Sequence, residues 1–317
     1  MSDTILEISN LKKIYGRTEV LHGVSFSLKR GGIYGLVGPN GAGKTTIMKI
    51  IGGLVYATGG EVNCYNTDGE VVDIQKARRK MSFMIETPYL KKHATARENL
   101  EKQRLQKELP DKAVIDDVLN LVGLSDVDQR KPVRQYSLGM QQRLGIANAL
   151  MCDPELLILD EPVNGLDPVG IHEVRELLLK MNREKGVTIL ISSHILSELA
   201  QLCTDYIFIG SGNILKMITA EELEINGRGC FEIGTNHNEK AYEWLKSRYG
   251  ERVSLHENII RIYDQIDDIA ALSEELFGIG AVPVHLVQTE SDLEKYYLEQ
   301  VLGGDDSKEL PAPNEEA

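Results

Sequence analysis

Eight residues, Gly38-Pro-Asn-Gly-Ala-Gly-Lys44-Thr45, constrain this 317-residue chain more than any other segment. They fit G-x-x-x-x-G-K-[ST], a spacing that has structural meaning only in a particular setting. Ile33–Val37 is a short apolar run after Gly31-Gly32 and reads as a buried strand, while residues 46–51 read as the opening turns of a helix. The segment is therefore a β-loop-α unit of an α/β protein. Its glycines let backbone N–H groups turn inward, and the helix end adds positive potential, so main chain can cradle phosphates. In such a loop Lys44 would bridge the β- and γ-phosphates of a nucleotide, and the Thr45 hydroxyl would ligate Mg²⁺. Composition alone would give the pattern in a chain of this length about one time in a hundred. With the strand and helix in place, the competing reading of a glycine-rich turn with an exposed lysine is disfavoured.

Two further segments handle the same chemistry. In Leu156-Leu-Ile-Leu-Asp160-Glu161-Pro162 the apolar run 156–159 has the pattern of a parallel strand buried on both faces. An acid at the carboxyl end of such a strand projects into the ligand crevice. Asp160 would hold Mg²⁺ through water, and Glu161 is placed to orient and polarise an attacking water. A plain turn would explain Pro162 but not the two acids. In Tyr136-Ser-Leu-Gly-Met-Gln-Gln-Arg143 a serine precedes a helical run, residues 141–149. A hydroxyl and backbone N–H groups at a helix start can cap a γ-phosphate, although serine there is most often a simple N-cap. Ser137 lies 23 residues ahead of Asp160, which strengthens the first reading.

In this order, and followed by Ser192-Ser-His194, the segments resemble the ATPase subunit of ABC transporters over roughly residues 3–220. The resemblance implies a P-loop NTPase fold of that type, a mixed sheet core with a helical subdomain. It implies ATP contacts from Gly38, Pro39, Asn40, Gly41, Ala42, Gly43, Lys44, Thr45 and Thr46, with Tyr15 stacked on adenine. An ordinary surface tyrosine competes with that last assignment. His194, 33 residues after Glu161, matches the family's switch histidine, which contacts the γ-phosphate; a lone histidine at a strand end is more often structural. Asn164-Gly-Leu-Asp167 resembles the loop joining the two halves of a dimer, where Asp167 would contact nucleotide. Ser137 and Gly139 would act on nucleotide held by the other subunit, although Leu138 and Met140 depart from the family's Leu-Ser-Gly-Gly-Gln pattern.

One departure narrows the resemblance. In Met81-Ser-Phe-Met-Ile-Glu86-Thr-Pro88 the family normally carries glutamine where Glu86 stands, a residue that touches Mg²⁺ and water beside the transmembrane partner. An acid there, followed by Thr95-Ala-Arg-Glu-Asn-Leu100, resembles the bacitracin and lantibiotic self-protection exporters. The segment Glu161-Pro-Val-Asn-Gly-Leu-Asp-Pro-Val-Gly-Ile171 resembles the same group. The alternative is a solvated loop acid, since loop positions tolerate change.

Composition bears on partners. No run approaches the ~18 apolar residues needed to cross a bilayer, and the start, Met1-Ser-Asp-Thr, has neither a basic nor an apolar leader region. Cys64, Cys152, Cys203 and Cys230 lie far apart without metal-ligand spacing and read as reduced thiols. Residues 1–222 carry 27 Lys and Arg against 28 Asp and Glu; residues 223–317 carry 8 against 20, so nearly all of the net −13 lies in the last part. Such an acidic module disfavours nucleic acid, whose binding rests on neutralising phosphates.

The chain is expected to divide into an ATPase domain, 1–224, a small α+β domain, 229–303, and an acidic disordered tail, 304–317. A turn-rich stretch at 225–229 separates the first two, after a short helix begun by Thr219 with Glu222 completing a capping box. Beyond it the pattern runs strand 230–234, helix 239–249, strands 252–256 and 259–263 about Glu257-Asn258, helix 266–277 and strand 282–288. That is β-α-β-β-α-β, the ferredoxin-like order, with a last helix capped by Ser291. The expectation is an ATP-hydrolysing subunit of an ABC exporter, peripheral at the cytoplasmic face of the membrane. It would pair with a second ATPase, itself or a paralogue, and drive a separate permease with ATP and Mg²⁺; cargo recognition would lie in the permease. Competing readings are a soluble translation ATPase, which carries two cassettes, and a repair ATPase, which needs a long coiled coil. Only 92 residues separate Lys44 from Ser137, and none has sustained heptads. A regulator or sensor acting through the C-terminal module remains the alternative beside transport.

Overall fold

The computed structural model describes residues 3–227, 231–256, 259–262, 266 and 268–288. Contacts divide the chain into two units, residues 1–220 and 221–317.

The first unit opens with the antiparallel strands β1 (Thr4–Tyr15) and β2 (Thr18–Lys29). From Val24 on, β2 alternates in burial, the mark of a sheet with one face on the core. β3 (Ile33–Val37) is buried at every residue and leads through the loop 38–43 into α1 (Lys44–Ile51). β4 (Gly59–Tyr65) and β5 (Val71–Val72) complete a first sheet in the order β2-β1-β4-β5. Asp73 caps the short α2 (Ile74–Arg78), and β6 (Met81–Met84) follows.

The chain then leaves the sheet for α3 (Ala96–Gln106), α4 (Ala113–Leu121) and α5 (Leu138–Leu150). A capping box starts α3: Thr95 accepts from the Glu98 N–H while the Glu98 carboxylate accepts from Thr95 N–H. Returning, β7 (Leu156–Asp160), α6 (Pro168–Lys185), β8 (Thr188–Ser193), α7 (Leu196–Leu199), β9 (Asp205–Gly210) and β10 (Asn213–Thr219) complete the unit.

The second sheet runs β10-β9-β3-β8-β7-β6, parallel throughout except for the β10 edge. Strands β7 and β8 are buried from end to end, as an apolar run covered on both faces requires. Between the sheets α1 packs Ile47, Met48 and Ile51 against Leu6, Ile8, Leu36, Ile158 and Ile207 in one core. Register carries the functional consequence. Ser192 lies opposite both Leu36 and Asp160, and Met84 opposite Leu159, so the ends of four strands finish at one edge.

α8 (Ala220–Gly227) spans the division between the units. It runs through residues 225–227, where the sequence suggested a turn; Glu221 and Glu222 in its first turn favour its N-terminus. The second unit continues with β11 (Phe231–Thr235), α9 (Asn238–Tyr249), β12 (Val253–His256), β13 (Ile259–Ile262), α10 (Ile269–Gly278) and β14 (Pro283–Gln288). Its sheet order is β12-β13-β11-β14 with every neighbour antiparallel. Helix α10 starts at Ile269, three residues later than the periodicity suggests, because Asp268 caps it through the Ala271 N–H. Phe231, Ile233, Ala241, Leu245, Ile260, Ile262, Leu272 and Leu276 form this unit's own core. Cys230, Glu257-Asn258, the helix expected after Ser291 and the tail 304–317 lie outside the described residues.

Each core draws its residues from one unit. A chain of residues 1–226 is therefore expected to unfold cooperatively and keep nucleotide binding, measured by thermal melting with and without ATP. An insoluble product would make the second unit part of the first one's core.

Candidate functional site

The loop 38–43 takes its shape from tight packing at its two ends. A Cβ on Gly38 would stand 2.3 Å from the Ile209 carbonyl oxygen, so β9 leaves room only for hydrogen there. Gly43 caps α1 at φ +108°, and a Cβ would meet Leu21 at 2.6 Å. Between them Pro39, Asn40 and Gly41 form the exposed rim, while Ala42 is buried and its N–H returns to Pro39 O at 3.1 Å. No side chain caps α1 and no acid stands in its first turn. The N–H groups of Lys44, Thr45 and Thr46 thus offer a helix-end anion site whose donors no side chain competes for.

Lys44 is 4 % exposed, and its ammonium donates to Gly38 O at 2.6 Å and Pro39 O at 3.3 Å. It also stands 3.4 Å from Glu161 Oε1. Thr45 Oγ1 donates to Asp160 Oδ2 at 2.7 Å, and Ser192 Oγ donates to Asp160 Oδ1 at 2.6 Å. The same Ser192 hydroxyl accepts from the Glu161 N–H at 2.9 Å. Glu161 adopts φ +46°, a left-handed backbone that costs a non-glycine residue about 1 kcal/mol or more. Its Oε2 is held by Asn164 Nδ2 at 3.2 Å and lies 3.1 Å from His194 Nδ1. Lys44, Thr45, Asp160, Glu161 and His194 therefore meet at the carboxyl edge of the parallel sheet.

Other residues singled out in the sequence stand apart. Glu86, at φ +62°, pairs with Lys49 of α1 at 2.6 Å and not with Thr45 or Asp160. Asp167 spends its carboxylate on its own helix, accepting from Gly170 N–H at 2.9 Å with Pro168 at the first helical position. Ser137 caps α5 through the Met140 N–H at 3.2 Å, and Gly139 lies in that first turn. A Cβ on Gly139 would meet only ordinary contacts, Leu166 at 3.8 Å and Gly170 at 3.9 Å. Nothing in this chain demands glycine there. Tyr15 ends β1, 44 % exposed as a residue, with the Lys13 ammonium 4.6 Å from the ring centre.

A metal-bound triphosphate fits these residues. Among the described residues no group of three or more His, Cys, Asp and Glu side chains forms a metal cluster. A hard cation would need the Thr45 hydroxyl, the Asp160 carboxylate and oxygens of the nucleotide itself, the oxygen-rich set Mg²⁺ prefers. Sequence reasoning missed Ser192, Asn164 and Lys49. Ser192 was visible as the first polar residue after the apolar run 189–191, and Lys49 as the residue one turn beyond Thr45.

Because Ser192 serves two partners in a buried setting, Ser192→Ala is expected to cost about 1–3 kcal/mol of unfolding free energy. Urea denaturation measures it; a midpoint equal to the parent's would mean that water replaces the hydroxyl.

A family model described as ABC transporter matches residues 21–164. The bacitracin transport ATP-binding protein BcrA of Enterococcus faecalis is 37 % identical over 301 residues, covering 95 % of this chain and 97 % of that protein. The lantibiotic transport ATP-binding protein SrtF of Streptococcus pyogenes is 46 % identical over 211 residues, 67 % of this chain and 89 % of that one. Among solved structures, cbiO1 from Clostridium perfringens, part of the ABC transporter complex cbiONQ, superposes with a TM-score of 0.63 at 28 % identity, over 70 % of this chain and 91 % of its own. The dimeric post-hydrolysis structure of the ATP-binding cassette MJ0796, bound to ADP and Pi, gives 0.60 at 27 % identity, over 68 % of this chain and 99 % of that cassette. With the loop, the paired sheets and relatives matched nearly end to end, this chain belongs to the ABC transporter family, among its ATP-binding proteins.

Proposed function

We propose that this ATP-binding subunit of an ABC transporter powers a separate membrane permease that exports antimicrobial peptides of the bacitracin or lantibiotic kind. The observation that carries the ATPase chemistry is the meeting of Lys44, Thr45, Asp160, Glu161 and His194 at one sheet edge. The cargo class rests on BcrA, matched across 95 % of this chain, and on SrtF. No helix among the described residues is long and apolar enough to cross a membrane, which suits a subunit seated on a permease at the cytoplasmic face.

In this reading ATP lies on the loop 38–43, with the N–H groups of Lys44, Thr45 and Thr46 on its phosphates and adenine stacked on the exposed Tyr15. Thr45 and Asp160 would hold Mg²⁺, which would supply charge neutralisation at the phosphates. Lys44 exchanges the Gly38 and Pro39 carbonyls for phosphate oxygens. Glu161 Oε1 then loses its cation and is free to orient and polarise water, while Asn164 and His194 keep Oε2 fixed. Charge that develops in the transition state meets Lys44 and the loop backbone, already in place.

A second ATPase, the same chain or a paralogue, completes the site. Ser137, Gly139 and the loop ending at Asp167 would face its nucleotide. The room left at Gly139 supports a close approach from outside the chain, and the related MJ0796 cassette is dimeric. The second unit, with its β-α-β-β-α-β order, serves as a ferredoxin-like accessory domain.

Two measurements test this. Glu161→Gln is expected to keep ATP binding, lower turnover by at least about 10²-fold and trap an ATP-dependent dimer on size-exclusion chromatography. Near-parental hydrolysis would remove Glu161 from the role. Mixing Ser137→Arg with Lys44→Ala is expected to restore measurable ATPase activity, because one composite site in the mixed dimer keeps both native residues. No gain over either variant, with crosslinking confirming that mixed dimers form, would refute one intact site as sufficient.

A further inference from the structure

Glu86 and Glu161 lie just beyond the ends of two neighbouring strands. β6 and β7 pair at Met84 and Leu159, and each chain runs two residues further before turning with positive φ, +62° at Glu86 and +46° at Glu161. One helix faces both acids. From α1, the Lys44 ammonium lies 3.4 Å from Glu161 and the Lys49 ammonium 2.6 Å from Glu86. Thr45, one turn before Lys49 and on the same face of α1, donates to Asp160 between the two pairs. Three acids at the sheet edge thus meet cation, hydroxyl and cation along a single helix.

Nucleotide chemistry explains Lys44 but leaves Lys49 unexplained. An acid at position 86 brings a negative charge to the rim of a site that receives a triphosphate, and repulsion would weaken binding. The contact with Glu86 holds the Lys49 ammonium above the usual lysine range, and Asp160 and Tyr15 act in the same direction. Lys49 is 30 % exposed and Glu86 64 %, so the pair contributes little to folding, and its consequence is local.

We propose that Lys49 is the positioning residue that allows an acid to stand at position 86. Its ammonium fixes the Glu86 carboxylate at the end of β6 and cancels the acid's charge toward the bound triphosphate. The proposal rests on the reading of Gly38–Thr45 as the ATP site. Removing Lys49 leaves the acid uncompensated; removing both groups restores the balance.

The test is ATP affinity of the full-length protein without metal, in EDTA, by displacement of a fluorescent ATP analogue. At low ionic strength Lys49→Gln is expected to weaken ATP about five- to tenfold. Lys49→Gln/Glu86→Gln should return to within about twofold of the parent, and Lys49→Arg, which keeps the charge, should bind like the parent. Glu86→Gln alone should bind at least as tightly as the parent, which keeps the test open if Lys49→Gln fails to fold. In about 1 M salt, where the Debye length is about 3 Å, the differences should shrink. The proposal is overturned if Lys49→Gln binds like the parent, if the double variant stays as weak as Lys49→Gln, if Lys49→Arg is equally weak, if Glu86→Gln weakens ATP, or if the differences persist in high salt. A parent protein that binds no ATP would instead remove the site reading beneath it.

Discussion

The Asp160 carboxylate, 4 % exposed, is the point through which the site is tied together. A charge taken out of water is costly unless hydrogen bonds replace the solvent, and here two hydroxyls do so. Thr45 brings α1 and Ser192 brings β8, while the Ser192 hydroxyl also takes the first amide beyond β7. Helix, two strands and the turn bearing Glu161 are locked by one carboxylate and its donors. The left-handed turn at Glu161 survives because its amide and both carboxylate oxygens have partners at the end of β8, on α1 and within the turn itself.

Much of this was legible in the chain, for reasons that are local. The loop 38–45 announces itself because backbone N–H groups, glycine geometry and a helix end must be contiguous to hold phosphate. The apolar run 156–159 ending in acids is readable because a strand buried on both faces leaves polarity only at its end. Ser137 was read as a phosphate-facing hydroxyl at a helix start; the helix start was legible, and within this chain the hydroxyl caps α5.

What the sequence hid depends on register and on side-chain choice. Ser192 matters because β8 lies between β3 and β7, an adjacency that no local pattern encodes. Asp167 suggested a nucleotide contact, yet its nearest unsatisfied donor is an amide of its own helix. Glu86 was read against Mg²⁺, while the structure gives it a lysine from α1. Neither partner could be chosen without knowing which strand ends α1 faces. Near α8 the misplaced turn has a simpler cause: Asn226 and Gly227 are weak helix formers, and the six helical residues before them carry the helix through.

The order in which the strands enter the sheet has a consequence for a chain still being made. Asp160 leaves the ribosome with Thr45 already available, but Ser192 follows 32 residues later. At about 5–20 residues per second that interval is roughly two to six seconds. Through it β7 lacks the neighbour that separates it from β3, and a carboxylate with half its donors sits at the end of an apolar strand. The nascent protein therefore has its most hydrophobic strands exposed just when their polar end is least satisfied. Nucleotide reaching the phosphate loop during that window would meet an edge without Ser192 or His194, and a loop whose first glycine still waits for Ile209 of β9.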